Sequence, residues 1–218
     1  MTTGSSATDP QAPDYLFRQE VRLSLAPKKG KITHSHPVQF YPDEAALLFG
    51  LTCFIEAALR AGTPVIAVAT ESHRKSLRQR LPARGVDVTA AIEQGLYVPL
   101  DVEAALSTFM VNDLPDSVRF QKVFGDLLSS VAKAQKGKRP RVAACGEFAP
   151  ALWSQGKTDA AIQVEHLTDE IAKTRSVDIL CGYVLSSFPR EQVGHMYERI
   201  CAEHSFIPCE RTIMRLKH

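Results

Sequence analysis

The sequence predicts an α/β domain of three layers, with a mainly parallel central sheet and helices on both faces. Three observations predict it. Strand-like and helix-like segments alternate along most of the chain, the pattern of a doubly wound sheet. The run Pro64-Val-Ile-Ala-Val-Ala69 is apolar without a break, as parallel strands covered on both faces are. Finally, His34 to Thr70 reads as one β-α-β unit: a short apolar strand, a Pro42-Asp43 turn, a long helix and a second strand. With 218 residues and 44% apolar content, the chain can bury one substantial core.

Residues 1–30 are rich in Ser, Thr, Pro, Gly and Ala and then basic, with too little apolar content to fold alone, and read as a flexible lead-in. Residues 31–218 are expected to form a single domain. Val38 to Tyr41 is the first strand. A helix starts at Asp43, whose carboxylate suits a cap, and runs to Arg60, with Leu47, Leu48, Leu51, Phe54, Ile55, Ala58 and Leu59 on one face. Val65 to Ala69 is the second strand. A basic helix from Arg74 to Arg84 closes at Gly85, and Val86 to Gly95 holds a short helix. Leu96 to Asp101 is the third strand, Glu103 to Met110 a helix, and Asn112 to Asp116 a loop. Val118 to Lys133 is strongly amphipathic. After the linker Lys136 to Arg141 come a strand (Val142 to Phe148), a helix carrying Leu152 and Trp153, a long helix (Thr158 to Lys173) and a fifth strand (Val177 to Val184). A last helix spans Arg190 to Glu203, and Thr212 to Leu216 suits a short final strand.

Bulk properties exclude several function classes. A net charge of +2 with 23% charged residues gives no reason to expect a nucleic-acid or membrane surface. No apolar run approaches the ~20 residues of a transmembrane helix, and the first residues lack the pattern of a signal peptide. The five cysteines form no CxxC pair and suit reduced thiols in a cytoplasm.

In open α/β sheets, ligands sit outside the carboxyl ends of the strands. Phe40, Tyr41, Thr70, Glu71, His73, Asp101, Glu147 and Tyr183 are placed there by the element order, and Asp43 opens the first helix. A phosphate-binding loop at that position needs glycines, whose N–H groups converge on phosphate, and a lysine. Tyr41-Pro42-Asp43-Glu44 instead offers a proline without an N–H and two carboxylates, so conventional ATP hydrolysis is not expected. Glu147, ending a buried strand, suits either a ligand donor or an internal ion pair. Trp153 and the phenylalanines are core residues by default, of which two or three must line any apolar pocket.

The order of motifs carries a resemblance. HxVQFY with an acidic turn, AT-x-x-H at Ala69 to His73, and G-x-Y-V-x-L-D at Gly95 to Asp101 come first. Phe109-Met110, P-D-x-x-R-F at Pro115 to Phe120, Gly146-Glu147 with Leu152-Trp153, L-C-x-Y at Leu180 to Tyr183, and I-C-A-E-H-S at Ile200 to Ser205 come after them. Together they resemble the MEDS domain, the sensory domain named after methanogens, methylotrophs and the dichloromethane-dehalogenase repressor. The resemblance implies a RecA/KaiC-like fold that has lost its phosphate loop. It also implies ligand sensing in signalling and transcriptional control, with small organic molecules such as hydrocarbon derivatives as ligands. No helix-turn-helix or kinase module is evident beside it, so either a signalling or regulatory protein partner is expected or the sequence is a domain of something larger. A homodimer is the assembly that KaiC-like relatives suggest.

Other chemistries are weaker. His34, His36, Cys145, Cys181, Cys201 and His204 are all metal-capable, but no spacing is a metal signature, and no metal or cofactor is expected. His36 reads as a strand-entry hydrogen bond. No nucleophile elbow accompanies Ser186-Ser187. The leading expectation is therefore a non-enzymatic cytoplasmic sensory domain. A protein-interaction scaffold with a filled site, or a residual nucleotide-binding protein, are the alternatives.

Overall fold

The structure is a computed structural model, and it describes residues 36–133, 141–188 and 190–203. The elements are β1 (Val38–Tyr41), α1 (Glu44–Arg60), β2 (Val65–Ala69), α2 (Glu71–Arg80), a 3-10 turn (Pro82–Arg84), α3 (Val88–Glu93), β3 (Tyr97–Asp101) and α4 (Val102–Ser107). Then come β4 (Met110–Val111), β5 (Leu114–Pro115), α5 (Ser117–Ala132), β6 (Val142–Gly146), α6 (Phe148–Ser154) and α7 (Thr158–Thr174). The series closes with β7 (Val177–Val184), a 3-10 turn (Leu185–Ser187) and α8 (Arg190–Ala202).

Five strands form the central sheet in the order β1-β7-β6-β2-β3, and every pairing is parallel. Alternation along each strand divides the core into two layers. On one face Ile66, Val68, Val142, Ile179 and Tyr183 pack against α5, α6, α7 and α8. On the other face Val65, Ala67, Ala143 and Leu180 pack against Leu47, Leu51 and Ile55 of α1 and Leu77 of α2. The expected three-layer α/β fold is the observed one. The inner strand β2 is buried along its whole length, which is why it reads as an unbroken apolar run.

Helix starts follow from capping chemistry. Asp43, Asp87, Asp101 and Asp116 each accept a hydrogen bond from the backbone N–H three residues on, at the heads of α1, α3, α4 and α5. Thr70 does the same for α2, which therefore begins at Glu71 rather than Arg74 and ends at Arg80, ahead of Pro82. The helix expected over Glu103 to Met110 stops at Ser107. It gives way to a two-stranded hairpin, β4–β5, whose turn residues Asn112 and Asp113 take φ of 49° and 64°. Asn and Asp tolerate that left-handed backbone better than other side chains, and hairpin turns of this kind demand it. The expected strand from Val142 to Phe148 ends at Gly146, where α6 takes over.

Among the described residues no helix is long and apolar enough to cross a membrane. The lead-in (residues 1–30), His34, residues 136–140 of the linker, the strand expected over 212–216, and His204 and Cys209 lie outside the described residues.

Candidate functional site

The carboxyl ends of β2 and β6 bring together three of the residues singled out from sequence. Glu147 Oε2 accepts the Thr70 N–H at 3.2 Å, and Glu147 Oε1 accepts from His73 Nδ1 at 2.7 Å. His73 Nε2 faces Glu44 at 3.9 Å. The hydrogen bond to Glu147 raises the His73 pKa above its ordinary value, against an opposing effect of partial burial. Beside this cluster Arg74 donates to Asp101 Oδ2 at 2.7 Å while Asp101 Oδ1 caps α4. The cap from Ala104 and the bond from Arg74 lower the Asp101 pKa. Glu71 stands exposed, paired with Lys75 along α2, and Asp43 is spent on its own cap of α1.

Of the four aromatic candidates, Phe40, Tyr41 and Tyr183 stand at the carboxyl ends of β1 and β7 as expected, but their side chains are buried in the core layers, and Trp153 is a core residue. Tyr41 is buried, its ring laid against Gly50 of α1 and Gly182 of β7, and a Cβ on Gly50 would collide with the Tyr41 hydroxyl. The side chain thus fills the space between α1 and β7 instead of lining a crevice. Phe40 stacks on Tyr183, with ring centroids 5.6 Å apart, and both belong to the core under α7 and α8. Trp153 is buried between α6 and the same layer. The reason is strand alternation: Phe40 and Tyr183 are register partners, so both side chains leave the sheet on one face.

That face carries two features that the strand-end rule does not anticipate. The first is an apolar cavity of about 60 Å³ between the sheet and helices α5 and α7. Phe120, Phe124 and Leu128, four residues apart along α5, form one wall, and Ile66, Val68 and Ile179 form the sheet side. Glu165 and Thr168 of α7 are its polar members.

The second feature is a buried polar cluster at the edge of that cavity. His36 lies two residues before Val38 and is fully buried. Its Nε2 is 3.1 Å from Cys181 Sγ and 3.3 Å from Glu165 Oε2. Its Nδ1 is 3.8 Å from Asp169 Oδ1. Tyr183 donates its hydroxyl to Glu165 Oε1, and Lys173 pairs with Asp169. Burial works against a charged His36, but the facing Cys181 and the nearby Asp169 and Glu165 carboxylates outweigh it and raise the pKa well above the ordinary value. The facing His36 likewise holds Asp169 down to about 2 against partial burial, with help from Lys173. The sequence alone suggests a single strand-entry hydrogen bond for His36 and a small hydrophobe for Cys181. The structure makes them neighbours instead. Sequence reasoning misses Glu165 and Asp169 as site residues, though a signal exists: two carboxylates four residues apart beside the apolar stripe of Ala161, Val164 and Leu167.

A five-strand parallel sheet with helices on both faces defines a three-layer domain of the α/β class, with an apolar cavity under two of its helices. Residues 35–198 match the family model of MEDS, the MEthanogen/methylotroph, DcmR Sensory domain, and the chain belongs to that family. MEDS is a family of sensory domains, which fits a sensory role. No curated relative matches the chain closely enough to narrow that role.

Proposed function

We propose that the chain is a non-enzymatic sensory domain. In this reading it holds a small apolar organic molecule, of the hydrocarbon-derived kind, in the cavity beneath α5 and α7, and a signalling or regulatory partner protein receives the event. The observation that carries this is the cavity itself: concave, almost wholly apolar, and lined by aromatic side chains, the chemistry of a small-molecule site. The ligand position accordingly moves from the strand ends to one face of the sheet. At the strand ends, the polar atoms of Glu147, His73 and Thr70 bond one another.

Two further points support the non-enzymatic reading. Pro42 offers no N–H, and the Asp43 carboxylate already occupies the Ala46 N–H at the head of α1. A phosphate would meet a negative charge where it needs donors. The size of the cavity also bears on the signal. At about 60 Å³ it is well below the ~150 Å³ that admits benzene. A molecule of a few heavy atoms fits as the chain stands, and a larger one must displace Phe120 or Phe124. Both belong to α5, so ligand size would be read as the position of that helix.

Thermal unfolding of the full chain against a series of small hydrocarbons and halocarbons of rising size, with ATP and ADP as comparison, tests this. Stabilisation by one or more of the apolar series is expected, and it should disappear in Val164→Phe, which fills the cavity at a cost of about 1–3 kcal/mol. Stabilisation by nucleotide with none from the apolar series would refute the proposal.

A further inference from the structure

The cluster around His36 has the composition of a metal centre. Three different donor types converge from three elements that are far apart in sequence: an imidazole ahead of β1, a thiol on β7 and a carboxylate on α7. One ligand atom from each of His36, Glu165 and Cys181 lies within 4.8 Å of the other two. With Zn–N and Zn–O near 2.0 Å and Zn–S near 2.3 Å, tetrahedral edges are about 3.3–3.6 Å. The two shorter separations, 3.1 Å from His36 Nε2 to sulfur and 3.3 Å to Glu165 Oε2, are within a few tenths of an ångström of those edges. All three residues are buried.

We propose that His36, Cys181 and Glu165 bind a divalent transition metal of borderline softness, with zinc the best match to a nitrogen, sulfur and oxygen donor set. The surrounding residues are arranged as a metal site's supporting shell would be. Asp169 stands behind the imidazole, on the Nδ1 side, where a carboxylate orients a ligating histidine and increases its basicity. Tyr183 engages Glu165 Oε1 and leaves Oε2 turned toward His36. Binding would release the proton from the thiol and the proton on His36 Nε2, and a dication would then be balanced by the thiolate and Glu165. Three protein ligands leave one tetrahedral position, and Cys181 and Glu165 both line the apolar cavity, so that position is the one a donor atom of a cavity-held molecule would take. The metal inference stands without the apolar-ligand reading, because metal content is measured with no organic molecule present.

The test uses the full chain without an affinity tag, equilibrated separately with zinc and with cobalt(II) and then desalted. Mass spectrometric metal analysis is expected to give one zinc per chain. The cobalt form is expected to show a thiolate-to-cobalt charge-transfer band. Cys181→Ser and His36→Gln should lose both signals, whereas Cys53→Ser, on the other face of the sheet, should keep them. Asp169→Asn should weaken zinc binding by about 10–100-fold, measured by chelator competition. Wild-type protein that retains no zinc, or that takes up cobalt without the thiolate band, overturns the proposal. That result needs no variant to fold.

Discussion

Two buried histidine–carboxylate clusters sit on this sheet, and they are built differently. At the carboxyl ends of β2 and β6, His73 and Glu147 pair closely, and Glu147 spends its second oxygen on the Thr70 N–H. Beneath β1 and β7, His36 meets two carboxylates and a thiol inside an apolar layer. The first arrangement uses its polar atoms on one another and holds two loops together near solvent. The second concentrates donors of three kinds at one point where water is scarce. On the proposed reading, the donors available to a ligand gather in the second cluster and not at the strand ends. The rule that ligands sit there rests on helix N-termini and glycine-rich turns left open to them, and Asp43, Pro42 and Tyr41 close that opening in this chain.

The contrast between the clusters can be broken by substitution. The largest effect is expected from Glu165→Ala. It strips a partner from fully buried His36 and from the Tyr183 hydroxyl, and removing one member of a buried charged pair costs about 3–5 kcal/mol. Urea unfolding that shows less than about 1 kcal/mol of loss would mean that the cluster is no more than a surface-like pairing.

Glu147→Gln should cost less, about 1.5–3 kcal/mol, as for hydrogen bonds to a charged group. This cost should depend on pH. The folded pKa of His73 lies above its ordinary 6.5, so the pair's charge-assisted contribution is fully present below about 6.5 and is lost as pH rises through the folded value. Unfolding free energies of wild type and Glu147→Gln should therefore differ most in mildly acid buffer and converge in alkaline buffer. A gap that widens with pH would reverse the assignment of the His73–Glu147 bond as the cause.

The smallest effect belongs to Asp43→Ala. It loses an exposed N-cap worth about 1 kcal/mol and also removes the carboxylate that guards the head of α1. Calorimetric titration with ADP on this variant sharpens the point. If the closed turn, and not the capping charge alone, excludes phosphate, the variant still binds no nucleotide.

The frame is legible in the sequence to a large extent, and the reasons are local. Asp43 announces the start of α1, an unbroken apolar run marks β2, and a mainly apolar run marks β7. The β4–β5 hairpin is hidden because Phe109 and Met110 continue an apolar pattern that reads as helix. Asn112-Asp113, the turn signal, comes too soon after them to be separated from a loop. The strand-end residues Thr70, His73 and Glu147 can be grouped because each closely succeeds a strand. His36 and Cys181 cannot. They are 145 positions apart, and only the lateral order of β1 beside β7 makes them neighbours. Sequence periodicity shows which face a residue takes; it does not show which strand lies alongside.

Recognition on the α5–α7 face, and not at the strand ends, is the central claim. Methyl and amide NMR shifts, recorded while the full chain is titrated with a small halocarbon that stabilises it, test this most directly. Shifts are expected to concentrate on Val68, Val164, Ile171 and Ile179 and to leave Thr70, His73 and Asp101 in place. Shifts confined to Thr70, His73, Asp101 and the Asp43–Ala46 turn, with the cavity methyls unmoved, would contradict it.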